Sequence, residues 1–180
     1  MSKIGRKPIS TKDIKIDIQG NTISFKGKKE SGIYELPDVL KVEVLKNDLI
    51  KLTCDNASRE NNKIWGLHRA LLANKLHGAE LGFDQKIIIT GLGFKGVVSG
   101  NKIDFSLGYS HKINFPLPEG ITVEVDKTGQ NLTVRGTSKE VVGLVSSKIR
   151  ALRPPEPYKG TGIKLGNETI LRKAGKTKSA

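Results

Sequence analysis

The sequence predicts an α+β protein: a tandem duplication of a small antiparallel-sheet-plus-helix domain, with extended basic N- and C-terminal segments. Three observations predict it. Apolar and polar residues alternate in short runs, which is the period of half-buried strands. Two longer stretches switch to helical spacing. The whole plan then recurs at an offset of 80 residues. Gly20-Asn21-Thr22-Ile23-Ser24-Phe25 returns as Gly100-Asn101-Lys102-Ile103-Asp104-Phe105, and Leu52-Thr53 returns as Leu132-Thr133. Ser58 with Glu60 returns as Ser138 with Glu140, and Val42-Glu43-Val44 returns as Val123-Glu124-Val125 at an offset of 81. One spacing held across four separate motifs is hard to obtain from strand–turn–strand patterns that merely look alike. The expected domains are residues 1–81, residues 82–152 and a tail over 153–180.

The first residues are basic and proline-punctuated. Within residues 1–12, Lys3, Arg6, Lys7 and Lys12 have no opposing acid, which suggests an extended arm, solvated or lying on a partner. No apolar run follows these cations, so a secretory signal is not expected. Ile14, Ile16 and Ile18 alternate as a strand. Gly20-Asn21 is a turn signal, and Ile23 and Phe25 alternate again, predicting a hairpin. Val42 with Val44, then residues 49–53, predict two more strands around a Lys46-Asn47-Asp48 turn. From Ser58 the spacing becomes helical. Ile64, Leu67, Leu71, Leu72 and Leu76 form the expected apolar stripe, with Ser58 as N-cap and Gly78 just past the C-terminus.

In the second copy, residues 86–90 hold three consecutive isoleucines, predicting a central strand covered on both faces. A second helix is expected to start at Thr137, with Glu140 completing a capping box. Its stripe would be Val142, Val145, Ile149 and Leu152, with Lys148, Arg150 and Arg153 near the end where the helix dipole favours cations. It leads into Arg153-Pro154-Pro155-Glu156-Pro157-Tyr158-Lys159-Gly160-Thr161-Gly162-Ile163-Lys164. The prolines exclude a helix there, because they fix φ and lack an N–H. A stiff arm carrying an aromatic, cations and bare glycine backbone suits a flat, negative surface.

Charge supports that reading. The 180 residues hold 31 Lys+Arg against 18 Asp+Glu, a net charge of +13. Residues 148–180 hold nine cations against two acids, which concentrates over half of that excess in the tail. Such an imbalance speaks of polyanionic partners rather than of fold. One cysteine, Cys54, excludes an intramolecular disulfide and suggests a reducing compartment. No apolar run approaches the ~20 residues that cross a bilayer.

Enzyme and metal chemistry find little support. Gly91-Leu92-Gly93-Phe94-Lys95-Gly96 matches G-x-G-x-x-G, the fingerprint a nucleotide-dependent oxidoreductase would use. That site needs a helix after the loop to face the pyrophosphate. The next residues, 97–103, read as a second strand and a turn, so a glycine-rich hairpin is expected instead. A membrane-surface protein would need an amphipathic helix with a cationic polar face, where this tail has prolines and glycines. His68, His77 and His111 are scattered and complete no ligand spacing with Cys54. Each reads as a structural or surface residue, and of the three His111 is the best candidate to touch RNA.

The tail sequence quoted above, with Leu107-Gly108-Tyr109-Ser110-His111, Ile4-Gly5-Arg6-Lys7-Pro8-Ile9 and Arg69-Ala70-Leu71, resembles the bacterial branch of the large-subunit ribosomal protein six family. The resemblance spans essentially the whole chain. It departs at Thr161, where the family usually has lysine, and at Leu165, where it usually has an aromatic. It implies two similar α+β domains and a non-enzymatic structural protein of the cytoplasmic ribosome, without cofactor or small-molecule substrate. It implies binding to large-subunit rRNA, mainly through the C-terminal domain and tail. The implied location is near the sarcin–ricin region and the base of the factor-binding stalk, beside neighbouring ribosomal proteins and within reach of translation factors. The first-choice rRNA contacts are Arg150, Arg153, Tyr158, Lys159, Gly160, Gly162 and Lys164, then Arg172, Lys173, Lys176 and Lys178. Lys95 and Lys112 are second-choice contacts, and Lys3, Arg6 and Lys7 come after them.

Overall fold

A computed structural model describes residues 2–45, 48–54 and 58–175. Lys46 and Asn47 of the expected turn, and Lys176 and Lys178 of the expected contacts, lie outside them. The chain forms two compact units, Met1–Gly82 and Phe83–Ala180.

The first unit contains β1 (Ile9–Ser10), β2 (Lys15–Gln19), β3 (Thr22–Lys26), β4 (Ser31–Glu35), β5 (Leu40–Leu45), β6 (Leu49–Cys54) and α1 (Arg59–Glu80). Its strands form two antiparallel sheets, ordered β2-β3-β4 and β1-β6-β5. The second contains β7 (Phe83–Thr90), β8 (Lys95–Ser99), β9 (Lys102–Ser106), β10 (Ile113–Pro116), β11 (Ile121–Val125), β12 (Asn131–Gly136), α2 (Lys139–Leu152) and β13 (Gly162–Leu165). Its sheets run β8-β9-β10 and β11-β12-β7-β13, again antiparallel.

The duplication is visible in three dimensions. The order β1-β6-β5 recurs as β7-β12-β11, and β2-β3-β4 recurs as β8-β9-β10. Gly20 and Gly100 open corresponding turns with the same φ of +61°, a conformation that costs glycine nothing. The Leu36 N–H donates to Asn21 O at 2.8 Å, and Leu117 N–H donates to Asn101 O at 2.9 Å. Ile23 and Phe25 are buried, as are their counterparts Ile103 and Phe105.

In the second unit α2 lies on one face of the four-stranded sheet. Val142, Val145 and Ile149 bury against a core that includes Ile87, Ile89, Leu132 and Val134. Leu152 packs at its margin. β7 is central, as expected, but it is not covered on both faces. Its burial alternates, with Ile87 and Ile89 inward and Ile88 half-buried on the other side. The α2 N-cap position is Ser138 rather than Thr137, and its side chain makes no capping bond. The expected capping box is therefore one residue out of register.

In α1 the Ser58 cap is as predicted: its Oγ accepts from Asn61 N–H at 3.1 Å. The helix does not stop at Gly78, which is buried within it. It ends at Glu80, and Gly82 takes the left-handed turn at φ +77°. The Ala79 carbonyl near this end accepts from the Lys29 N–H of the chain after β3 at 2.9 Å, so tertiary contact extends the helix. The buried stripe is Trp65, Leu72, Leu76 and Ala79, while Leu67 is exposed.

The N-terminal arm is tethered to the first unit, although Lys3, Arg6 and Lys7 remain exposed. Arg69 Nε and Nη2 donate to the carbonyls of Lys7 (3.0 Å) and Pro8 (2.8 Å), and Ile9 is buried in β1 beside Ile50 of β6. Gly5 lies so close to Trp65 that a Cβ there would come within 2.6 Å of the indole.

The 91–96 segment is not a hairpin, because β7 and β8 belong to different sheets. It crosses from one sheet to the other, and the chain continues past Gly96 as strand. The phosphate-facing helix that the oxidoreductase alternative requires is not there.

The tail is not an extended arm throughout. Within 153–180, Gly162–Leu165 returns as β13 and pairs with β7, Ile163 opposite Ile89 and Leu165 opposite Ile87. Ile163 is fully buried in the core. This strand has no counterpart in the first unit among the described residues, so it is an addition to the duplicated plan. Ile163→Ala should accordingly lower the unfolding free energy of the second unit by about 2–5 kcal/mol, as for other buried aliphatics. Urea denaturation of the full chain reads this, and a loss under ~1 kcal/mol would mean that β13 does not belong to the core.

Candidate nucleic-acid interface

The proline-rich stretch and its surroundings sort the expected contact residues into two groups. One group is held inside the protein. The other is presented to solvent.

Arg150, in the last turn of α2, forms a two-pronged ion pair with Glu168. Nε donates to Oε2 at 2.7 Å and Nη2 donates to Oε1 at 2.5 Å. Arg150 beside it holds the Glu168 carboxyl below the usual carboxylate range, against a smaller upward push from burial. Glu168 also accepts the Leu165 N–H at 3.2 Å and donates its own N–H to Leu165 O at 3.0 Å. It thus ties the chain just after β13 to α2. Arg150, expected as an RNA contact, is occupied in fastening the tail.

Arg153 is likewise engaged. Nη1 donates to Leu107 O, and the guanidinium lies 4.8 Å from the Phe94 ring centre and 5.1 Å from that of Tyr109. These are cation–π distances. Arg153 therefore joins the end of α2 to the 91–96 crossover and to the loop between β9 and β10.

Gly160 and Gly162 are buried rather than bare. Gly160 has φ +72°, and its N–H donates to Glu156 O at 2.9 Å. Gly162 has φ +137°, and a Cβ there would sit 2.6 Å from Pro154 O. Their freedom closes the loop on itself, so these two glycines are used by the protein's own packing. The Glu156 N–H donates to Thr161 O at 2.9 Å, Thr161 Oγ1 donates to Glu156 at 3.1 Å, and Ile163 N–H donates to Arg153 O at 2.8 Å. Thr161, where the resemblance departs, is thus a bracing residue of this loop.

On that braced loop Pro157, Tyr158 and Lys159 form the outer turn. Tyr158 is 54% exposed, and Lys159 is exposed beside it. The Lys173 N–H donates to Pro157 O at 2.9 Å, and the Arg172 guanidinium lies against Gly160, about 3.0 Å from where a Cβ would be. Four of the expected residues, Tyr158, Lys159, Arg172 and Lys173, therefore meet at one knuckle. Lys164 stands half-buried on β13, in register with Ile88 and on the strand face opposite the core. Lys112 is exposed at the start of the approach to β10. Lys95 opens β8 against Gly129 of the β11–β12 turn, and is not part of the knuckle.

The histidines divide in the same way. His68 Nδ1 shares a hydrogen bond with the Tyr34 hydroxyl at 2.8 Å, whereas His111 is exposed and stacked on Tyr109. Among the described residues no group of three or more His, Cys, Asp or Glu is placed to hold a metal. No helix among them is long and apolar enough to cross a membrane. Sequence reasoning missed Phe94, Tyr109 and Glu168 as partners of the site. An arginine–aromatic contact between residues 153 and 109 has no periodic signal, although the acid at 168 is one of only two in the tail.

Residues 90–166 match the family model described as Ribosomal protein L6, a span that reaches from the end of β7 to just past β13. The chain is 44% identical over 181 residues to the Large ribosomal subunit protein uL6 of Anaeromyxobacter sp. (strain Fw109-5), covering 100% of both chains. It is 44% identical over 186 residues to the protein of that name from Myxococcus xanthus (strain DK1622), covering 98% of each. With that of Helicobacter hepaticus (strain ATCC 51449 / 3B1) it shares 39% identity over 179 residues, again 98% of each.

The Arg150–Glu168 tie has a pH signature. A depressed carboxyl pKa contributes stability that is present above the ordinary glutamate value and lost as pH falls through the lower folded-state value. At pH 7 Glu168→Gln should be less stable than wild type by at most about 1 kcal/mol, since the pair is partly solvated. At an acid pH below the folded-state value the two should converge. Urea titrations at both pH values decide this, and an equal gap at both would remove the ion pair from the explanation.

Proposed function

The chain belongs to the ribosomal protein L6 family, and on that premise we propose that it is a non-enzymatic structural constituent of the large ribosomal subunit that binds 23S rRNA. It would act in the cytoplasm, on the ribosome. The observation that carries this reading is the knuckle. Tyr158 and Lys159 are presented together with Arg172 and Lys173 at a loop braced by its own hydrogen bonds.

Mechanistically, the exposed cations neutralise phosphates and release condensed counterions, so affinity falls steeply with salt. Tyr158 offers a ring for stacking or a hydroxyl for the sugar–phosphate backbone. The braced loop reduces the entropy lost on docking. Recognition in this reading is of RNA shape and backbone rather than of base sequence. Lys164, Lys95 and Lys112 would add contacts outside the knuckle. Lys176 and Lys178 would extend the charge beyond the described residues. Arg150, Arg153, Gly160 and Gly162 would serve indirectly, by holding the loop in shape. In this reading the contact lies near the sarcin–ricin region and the base of the factor-binding stalk, beside neighbouring ribosomal proteins and close to translation factors. That location rests on the family resemblance.

The double variant Lys159→Ala/Lys173→Ala tests the proposal, because both side chains are exposed and their loss leaves the core alone. Its affinity for deproteinised 23S rRNA at about 150 mM salt should fall about tenfold or more. The slope of log K against log salt should shrink by roughly 0.7–0.9 for each lost phosphate contact, with thermal stability unchanged. Wild-type affinity and slope in this variant would refute the knuckle as the contact.

A further inference from the structure

The loop between β9 and β10 carries a feature that a cation-based interface leaves unexplained. It runs Leu107-Gly108-Tyr109-Ser110-His111-Lys112. Leu107 is buried and anchors its start. Gly108 takes φ +75° where a Cβ would meet Phe94 at 2.8 Å, so the chain turns there against the crossover. This turn lays Tyr109 over the Arg153 guanidinium, and the Tyr109 hydroxyl donates to Leu152 O at 3.1 Å. The tyrosine ring is thus held at both its face and its tip. Even so it is 47% exposed.

His111 then stacks on Tyr109, its ring centre 6.4 Å away and the planes 26° apart. The separation is that of offset-stacked aromatic pairs. The clamp on Arg153 accounts for Tyr109 but gives His111 no task. The imidazole is exposed and lies outside the core. The stacked pair, with Tyr109 held by Arg153 and Leu152 and both residues exposed, presents aromatic surface to solvent, with the exposed Lys112 next in the chain.

We infer that the Tyr109–His111 pair is a stacking platform for an unpaired nucleobase of the bound RNA, with Lys112 meeting the phosphate next to that base. The inference rests on the rRNA-binding reading and deepens it. A base inside a duplex has both faces covered by its neighbours, so the ligand must be a nucleotide splayed from a loop or bulge. Every base has a π-face, so the platform would accept any of them. The rings are already positioned, so little side-chain freedom is lost when the base lands.

Full-length protein and deproteinised 23S rRNA test this through His111, whose exposure makes substitution harmless to folding. Affinities are measured over a range of salt for wild type, His111→Ala and His111→Phe. Stacking predicts that His111→Ala binds about tenfold more weakly with an unchanged salt slope, and that His111→Phe, which keeps a ring, binds like wild type. Equal affinity in all three would overturn the platform. So would a phenylalanine variant as weak as the alanine one, since the imidazole would then be acting as a hydrogen-bonding group. A slope reduced by roughly 0.7–0.9 would show an ionic contact instead and also overturn it. Failure of the wild-type chain to bind 23S rRNA would overturn the broader reading and the platform with it, a result distinct from the others.

Discussion

The presented surface of the second unit depends on one strand pairing, that of Gly162–Leu165 with Phe83–Thr90. Without it the chain after α2 would be a proline-rich tail with charge but no shape. With it, Ile163 is drawn into the core, and residues 154–161 must span from the end of α2 back to the sheet. Gly160 and Gly162, both at positive φ, let so short a connection close. The prolines cost little here, because a loop without ladder hydrogen bonds has no use for their missing N–H. The result is a rigid mount on which Tyr158 and Lys159 face outward.

That pairing also decides which cations are engaged inside the protein. Arg150 and Arg153 sit where α2 ends and the loop begins. Each is a planar guanidinium, suited to carboxylate forks and to aromatic faces. Arg150 takes Glu168, and Arg153 takes Phe94 and Tyr109. The lysines have no such commitments in the knuckle. Long, flexible and strongly hydrated, Lys159 and Lys173 are suited to meeting phosphates as point charges. A formal charge summed over the tail therefore overstates what a polyanion meets.

Much of this was legible in the residues. The duplication could be read because Gly20 and Gly100, and the alternating pairs after them, are local signals that survive copying. The Ser58 cap and the Val142, Val145, Ile149 stripe could be read for the same reason. β13 could not, because four residues placed after prolines and glycines carry too little alternation to announce a strand. Gly160 and Gly162 looked like backbone bared for a partner. Their positive φ is a demand of the protein's own loop, and a sequence does not say for whom a glycine is small. The N-terminal arm was legible only in part. Its cations suggested a partner, while Gly5 against Trp65 and Arg69 on the Lys7 and Pro8 carbonyls bind it to α1 through contacts far apart in the chain.

The second unit is thus a copy of the first with one added strand, and the added strand is what turns a basic tail into a shaped surface. The most direct measurement is protein–RNA crosslinking in assembled large subunits, mapped to single residues on the protein and single nucleotides on the RNA. The expected result is a cluster of 23S rRNA crosslinks at Tyr158, Lys159, Arg172 and Lys173, with none at Arg150, Gly160 or Gly162. Crosslinks confined to the first unit, or spread evenly over all exposed lysines, would contradict it.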